Sequence, residues 1–259
     1  MTELLRVEGV GQSFGGHRAV DSVSFEVEAG SVTSLIGPNG AGKTTMFNLI
    51  SGLLRADSGT IRFRDRSIEA LPPFAISRLG IGRTFQDPRV FAEMSVRDNV
   101  IVGARQRGEH PWWALARGGR VEREWREVRG RADEALAAVG LLERADDMAR
   151  DLSFGEQRFL SIARTLVGRP ALVLMDEPTV GLDRAALDKL IALMHTLVRE
   201  RATTILLIEH NMEVVMSISS RIVLLVGGRV VANGTPDALK NDPNLAQAYL
   251  GRDHAAHGH

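Results

Sequence analysis

The turn at residues 37–44, GPNGAGKT, constrains the chain more than any other feature because of what stands on either side of it. An apolar run at residues 32–36 predicts a strand, and the stretch from Lys43 to a stop at Gly52 predicts a helix. The turn fits the spacing G-x-x-x-x-G-K-[ST], with Gly37, Gly42, Lys43 and Thr44 on the fixed positions. Pro38, Asn39, Gly40 and Ala41 fill the variable ones, and Thr45 follows. Glycines let the backbone curl until successive N–H groups point inward at phosphate oxygens. The helix behind the turn adds the positive end of its dipole. Lys43 is placed to reach the β- and γ-phosphates, and the Thr44 hydroxyl to ligate Mg²⁺. The stretch reads as a nucleotide-phosphate site.

With 259 residues, the chain can bury a large core in one domain or two subdomains. Lys+Arg and Asp+Glu both number 32, and this lack of net charge argues against a general nucleic-acid binder. There is no cysteine, which excludes disulfides and thiolate metal sites. The start, MTELLRVEGV, carries acid early and no basic segment leading into a long apolar core, so it does not read as a signal peptide. The longest apolar runs, at 205–208 and 222–226, are far too short to cross a bilayer. A cytoplasmic protein is expected, with any membrane role running through partners.

Residues 4–10 and 23–27 predict two strands that bracket SFGGHRAV, a glycine turn carrying Phe14. A ring stacked on a nucleotide base and an aromatic in a small core are equally compatible with these residues. Residues 59–64 predict a strand, Pro72 and Pro73 open a short helix, and 80–85 give another strand ending at Gln86. The arginine-rich stretch 105–131 contains Trp112 and Trp113. From Val121 a helix is predicted, with Val121, Trp125, Val128, Ala132, Leu136 and Val139 as one apolar stripe. A helical subdomain that packs this stripe is the main reading; a membrane contact through the tryptophan pair is the minor one.

Ser153 followed by Glu156 is a capping box, and Phe159, Ile162, Ala163 and Leu166 continue a helix closed by Gly168 and Pro170. Residues 171–175 are continuously apolar, as in a buried parallel strand. They deliver Asp176 and Glu177 to the strand's C-terminal end, where ligands sit in open α/β sheets. Two acids there are costly without a cation or other partner, and an Mg²⁺-binding carboxylate explains them. A helix at 184–201, a strand at 203–208 and then Glu209 and His210 follow. Beyond these come a strand pair around Gly227-Gly228, short helices near 235–240 and 244–250, and a tail, DHAAHGH, read as disordered.

A phosphate loop alone admits GTPases, kinases, helicases and transport ATPases, but the guanine-reading N-K-x-D motif does not occur. LSFGEQ at 152–157, between the phosphate loop and the paired acids, resembles the signature of ATP-binding cassette ATPases, usually LSGGQ. Their other motifs have counterparts in order: Gln86 as the Q-loop, Asp176 and Glu177 as the Walker B end, Gly181-Leu182-Asp183 as the D-loop, and His210 as the switch histidine. Phe14 takes the place of the aromatic A-loop residue. The resemblance runs through about Gly251. Phe154 departs from the usual glycine, Glu156 precedes Gln157, and Val180 stands where the D-loop usually starts with serine or alanine. GRTFQDPRVF, IEHNMEVVMSISSRIVLL and VANGTP further resemble the ATPases of branched-chain amino-acid importers, whose close relatives serve urea or amide import and lipopolysaccharide export.

The resemblance implies an α/β fold: a P-loop NTPase (RecA-like) core with an antiparallel β subdomain and an inserted α-helical subdomain. It places the core at 1–86 and 151–240, the helical insert at 87–150 running through to the signature, and a C-terminal helix and tail at 241–259. It implies ATP hydrolysis, with ATP sandwiched between the phosphate loop of one cassette and the signature of another. Phe14 would stack on adenine, and Gly37 to Thr45 would hold the phosphates. Thr44, Asp176 and Gln86 would position Mg²⁺. Glu177 would be the general base, and His210 and Gln86 would assist it. Ser153, Phe154, Gly155, Glu156 and Gln157 would face the opposite subunit's ATP, with Asp183 in the D-loop. The implied partners are a second ATP-binding subunit, transmembrane permease subunits and a substrate-binding protein, with no nucleic acid, at the inner face of the cell membrane. Cassettes that act on ribosomes or DNA usually carry two cassettes or a long coiled-coil insertion, and a purely regulatory module is expected to lack Glu177 or His210. Neither pattern fits this chain.

Overall fold

The computed structural model describes residues 2–104, 118–240 and 242–243, with backbone alone at 118–121. Contacts divide them into two compact units, one of residues 1–83, 171–179 and 190–259, the other of 84–170 and 180–189. Trp112, Trp113, the expected helix at 244–250 and the histidine tail lie outside the described residues.

The first unit is built on two sheets. Strands β1 (Glu3–Phe14), β2 (His17–Glu28), β4 (Ser58–Phe63) and β5 (Arg66–Ser67) pair antiparallel in the order β2-β1-β4-β5. The first two run further than the expected 4–10 and 23–27. Register shifts between Val7 and Val10, with Gly9 at φ +59°, let pairing continue past that glycine. The second sheet takes β3 (Val32–Ile36), β6 (Ile81–Arg83), β7 (Leu172–Asp176), β8 (Thr204–Ile208), β9 (Arg221–Val226) and β10 (Arg229–Gly234) in the order β10-β9-β3-β8-β7-β6. All its pairings are parallel except that of β9 with the edge strand β10.

Every residue of β3, β7 and β8 is buried, which is why these stretches are mostly apolar on both faces rather than alternating. Helix α1 (Lys43–Ile50) packs Met46, Phe47, Leu49 and Ile50 into the larger core with strands of both sheets. Complete burial of a side chain such as Phe47 contributes about 1.5–3 kcal/mol. A second cluster, Ile36, Val215, Ile222, Leu224 and Leu239, takes in the short helices at Met212–Ile218 and Pro236–Leu239.

The second unit is helical. It contains the helices Val96–Val102, Gly118–Val139 and Phe154–Leu166, while Pro73–Leu79 belongs to the first unit. Residues 151–170, read from sequence with the core, fall in this unit. Val128, Ala132, Leu136 and Val139 are buried as the stripe requires, but Trp125 is 52% exposed. Length explains the difference. A helix of 22 residues spans roughly 33 Å and overruns neighbours of 7 and 13 residues.

Asn99, fully buried, fastens the segment that leads into the Val96–Val102 helix. Its Oδ1 accepts from Phe91 N at 2.8 Å, and its Nδ2 donates to the carbonyls of Phe91 at 2.9 Å and Ser95 at 3.0 Å. Asn99→Ala strands these groups away from water and should cost about 1–3 kcal/mol in urea denaturation, with the m-value unchanged.

Candidate nucleotide site

The chain leaves β3 at Gly37, where the backbone can be nothing but glycine. At φ +149°, a Cβ there would lie 2.1 Å from the Leu225 carbonyl oxygen; at Gly42, φ +99°, it would lie 2.4 Å from that of Ala19. No side chain caps the helix that follows, so its first N–H groups remain available to an anion. Lys43 is only 6% exposed, and its Nζ donates to the carbonyls of Gly37 at 2.7 Å and Pro38 at 2.9 Å. The ammonium is therefore stored against the loop it closes. Asn39, Gly40 and Thr44 are exposed.

Strand register brings three further groups to the same edge. Leu35 of β3 pairs with Ile208 of β8, and Ile208 pairs with Asp176 of β7. Asp176 is buried, and burial pushes its carboxyl above the ordinary range, opposed by the charges of Arg83 and Lys43. Arg83 Nη2 lies 3.4 Å from Asp176 Oδ2. Its Nη1 donates to Asn48 Oδ1 at 2.7 Å and Ser51 Oγ at 2.9 Å, and its guanidinium lies over the Phe47 ring. Burial pulls the Arg83 pKa below its usual value, with Asp176 opposing.

Glu177 follows at φ +47°, a left-handed conformation that is strained for a side chain of this kind. Its N–H donates to Ile208 O at 2.9 Å. That turn sends the carboxylate to His210, whose Nε2 lies 2.7 Å from Glu177 Oε1. Glu209 beside His210 is 1% exposed, and its Oε1 accepts from the Thr179 hydroxyl at 2.8 Å, His210 N at 2.9 Å and Asn211 N at 3.2 Å. The buried acid thus fixes the backbone from which the histidine projects.

The second unit carries the remaining motifs. Ser153 caps the Phe154–Leu166 helix in a complete capping box: its Oγ accepts from Glu156 N, and Glu156 Oε2 accepts from Ser153 N at 2.8 Å. Arg144 Nη1 donates to Glu156 Oε1 at 2.8 Å; against the cost of burial, these bonds hold the Glu156 carboxyl below its usual value. Asp183 Oδ1 accepts from Ala186 N at 2.8 Å at the start of the Arg184–Arg201 helix. A cavity of about 510 Å³ lies in this unit, lined by Ser153, Gly155, Asp183 and Lys189 among others.

A family model described as ABC transporter matches residues 20–180. The chain belongs to the ABC transporter family. It is 43% identical over 249 residues to the high-affinity branched-chain amino acid transport ATP-binding protein LivG of Salmonella typhimurium, covering 96% of this chain and 98% of the relative. It is 41% identical, with the same coverage, to the corresponding protein BraF of Pseudomonas aeruginosa. The structure is similar to the ADP conformation of the ATP-binding cassette MJ1267, with a TM-score of 0.84 at 31% identity, covering 97% of this chain and all of the other. Among the described residues of this cassette, no helix is long and apolar enough to cross a membrane.

Within the cassette's first unit the structure brings together the phosphate loop, Asp176, Glu177 and His210. Phe14 sits at the end of β1 and is 47% exposed, which removes the small-core alternative. Gln86, the signature and Asp183 belong to the second unit, where Gln86 is exposed. Arg83 and Glu209 join the site residues that the sequence motifs name. Their signal was a charge set in or directly after a stretch that otherwise reads as buried strand. Arg83→Met keeps the bulk and strands the carboxylate of Asp176. It should cost about 3 kcal/mol of unfolding free energy in urea denaturation of the nucleotide-free chain, and an unchanged midpoint would count against the pair.

Proposed function

We propose that this cassette is the ATP-binding and ATP-hydrolysing subunit that powers a branched-chain amino-acid importer. The hydrogen bond between His210 and Glu177, made beside the phosphate loop, carries the reading on hydrolysis. The likeness to LivG and BraF along nearly the whole chain supports the transported class.

The residues fit MgATP. Loop amides, an uncapped helix start and the Lys43 ammonium suit the phosphates; Lys43 would exchange two carbonyls for phosphate oxygens. Thr44 offers an exposed hydroxyl and Asp176 a buried carboxylate that would hold Mg²⁺; the ion would supply positive charge to offset that of the phosphates. Phe14 has an exposed ring face for adenine. Glu177 would take the proton of the attacking water, and His210, fixed through Glu209, would hold that carboxylate and the γ-phosphate in place. Charge stabilisation would be completed by Ser153, Gly155 and their helix start from a second cassette.

In this reading the cassette is a peripheral subunit at the inner face of the cell membrane, paired with a second cassette and with permease subunits served by a substrate-binding protein. Phe85, Phe91 and Val102 are exposed apolar residues in and around the segment that follows Gln86, and they are the proposed seat for a permease helix.

Glu177→Gln keeps the shape of the base and removes its charge. MgATP affinity, followed by a fluorescent nucleotide, should be retained while turnover falls about 10²–10⁴-fold. Lys43→Ala should instead weaken MgATP binding itself. Near wild-type turnover in the Glu177 variant would show that another group is the base.

A further inference from the structure

Three of the motifs in the second unit meet at one side chain that none of them includes. Arg158, 3% exposed, projects from the first turns of the signature helix Phe154–Leu166. Its Nη1 donates to the Gln86 carbonyl at 2.8 Å, and its Nη2 donates to the Val180 carbonyl at 2.9 Å. Its guanidinium lies 5.2 Å from the centre of the Phe154 ring. That ring in turn covers Gly181, where φ is +79° and a Cβ would fall 2.7 Å from Phe154 Cε1. The phenylalanine that departs from the usual signature glycine therefore occupies space a side chain at 181 would need. Lower on the same helix, Arg164 repeats the device: Nη1 donates to Arg89 O at 2.9 Å and Nη2 to Pro88 O at 2.8 Å.

We infer that Arg158 is a positioning residue for ATP hydrolysis, tying the segment after Gln86 and the D-loop at Val180 to the start of the signature helix so that the three move as one piece. The planar guanidinium suits this role because its donors sit in a fixed fork. Two carbonyls from segments far apart in sequence are held by one guanidinium, and a shift of either lengthens a bond to a buried donor. The Phe154 ring packs with the guanidinium over its face. A change at the Q-loop is thereby felt at Ser153 and Gly155 without passing through the phosphate loop. The inference rests on the proposed sharing of each ATP by two cassettes, since only then does the signature's placement govern turnover.

The test compares the full-length chain with Arg158→Met and Arg158→Lys. MgATP affinity is read with a fluorescent nucleotide, and ATP turnover per chain is read over a range of chain concentrations. In the wild type, turnover per chain should rise with chain concentration. Arg158→Met should bind MgATP within about twofold of wild type and lose at least about tenfold in turnover at saturating MgATP. Arg158→Lys keeps the charge and one carbonyl, and should fall between the two. Should the Met variant fail to fold, the Lys variant decides: a turnover loss of about threefold or more at unchanged affinity supports the role. Wild-type turnover in whichever variant decides, or equal losses of affinity and turnover, overturns it. A wild-type turnover that is flat with chain concentration refutes the shared site itself, whereas a rising wild type with an unaffected variant refutes Arg158 alone.

Discussion

Three buried strands leave the second sheet in register, with Leu35 opposite Ile208 and Ile208 opposite Asp176. Everything chemical in the first unit depends on that pairing. Parallel strands present their carboxyl ends at one edge, and here the edge receives the phosphate loop, two acids and a histidine from stretches that are remote in sequence. Slippage of β7 against β8 by one residue would turn Asp176 to the other face of the sheet. All three strands are buried along their whole length, so what opposes the slip is loss of the Asp176 contact with Arg83 rather than an alternating pattern.

This placement has electrostatic costs, and the residues that offset them are part of the site. Asp176 is buried beside a buried guanidinium, and each has its pKa moved by burial toward the neutral form. Arg83 meets that cost with partners that include Asp176, Asn48, Ser51 and the Phe47 ring. Glu177 stores strain of order 1–3 kcal/mol in its left-handed backbone, which aims its carboxylate at His210. Glu209 holds the other side of that contact by fixing the His210 amide. Rigid support of this kind suits the base proposed for a reaction whose catalysis is mostly positioning and charge.

The phosphate loop, the capping box at Ser153 and the strand delivering Asp176 and Glu177 were legible because each is written within a dozen consecutive residues. The helix limits at 184–201 were read for the same reason. Arg83 was not legible as the partner of Asp176, because β6 and β7 pair only through sheet order, Arg83 opposite Leu174. Nor was the Arg158 junction, whose two carbonyls belong to backbone and leave no mark on side-chain pattern. Trp125 misled in the opposite direction: periodicity marks a helix face, but only the lengths of neighbouring helices decide how much of that face is covered.

In the proposed arrangement one cassette holds half of each catalytic site, and a second copy, or a related cassette, supplies the signature. Light scattering on Glu177→Gln, alone and mixed with a related cassette, with and without saturating MgATP, measures this directly. The mass should shift from monomer to dimer on adding MgATP, and the shift should be lost when Ser153→Arg is added to block the opposite phosphate. A Glu177→Gln chain that stays monomeric under both conditions would contradict it.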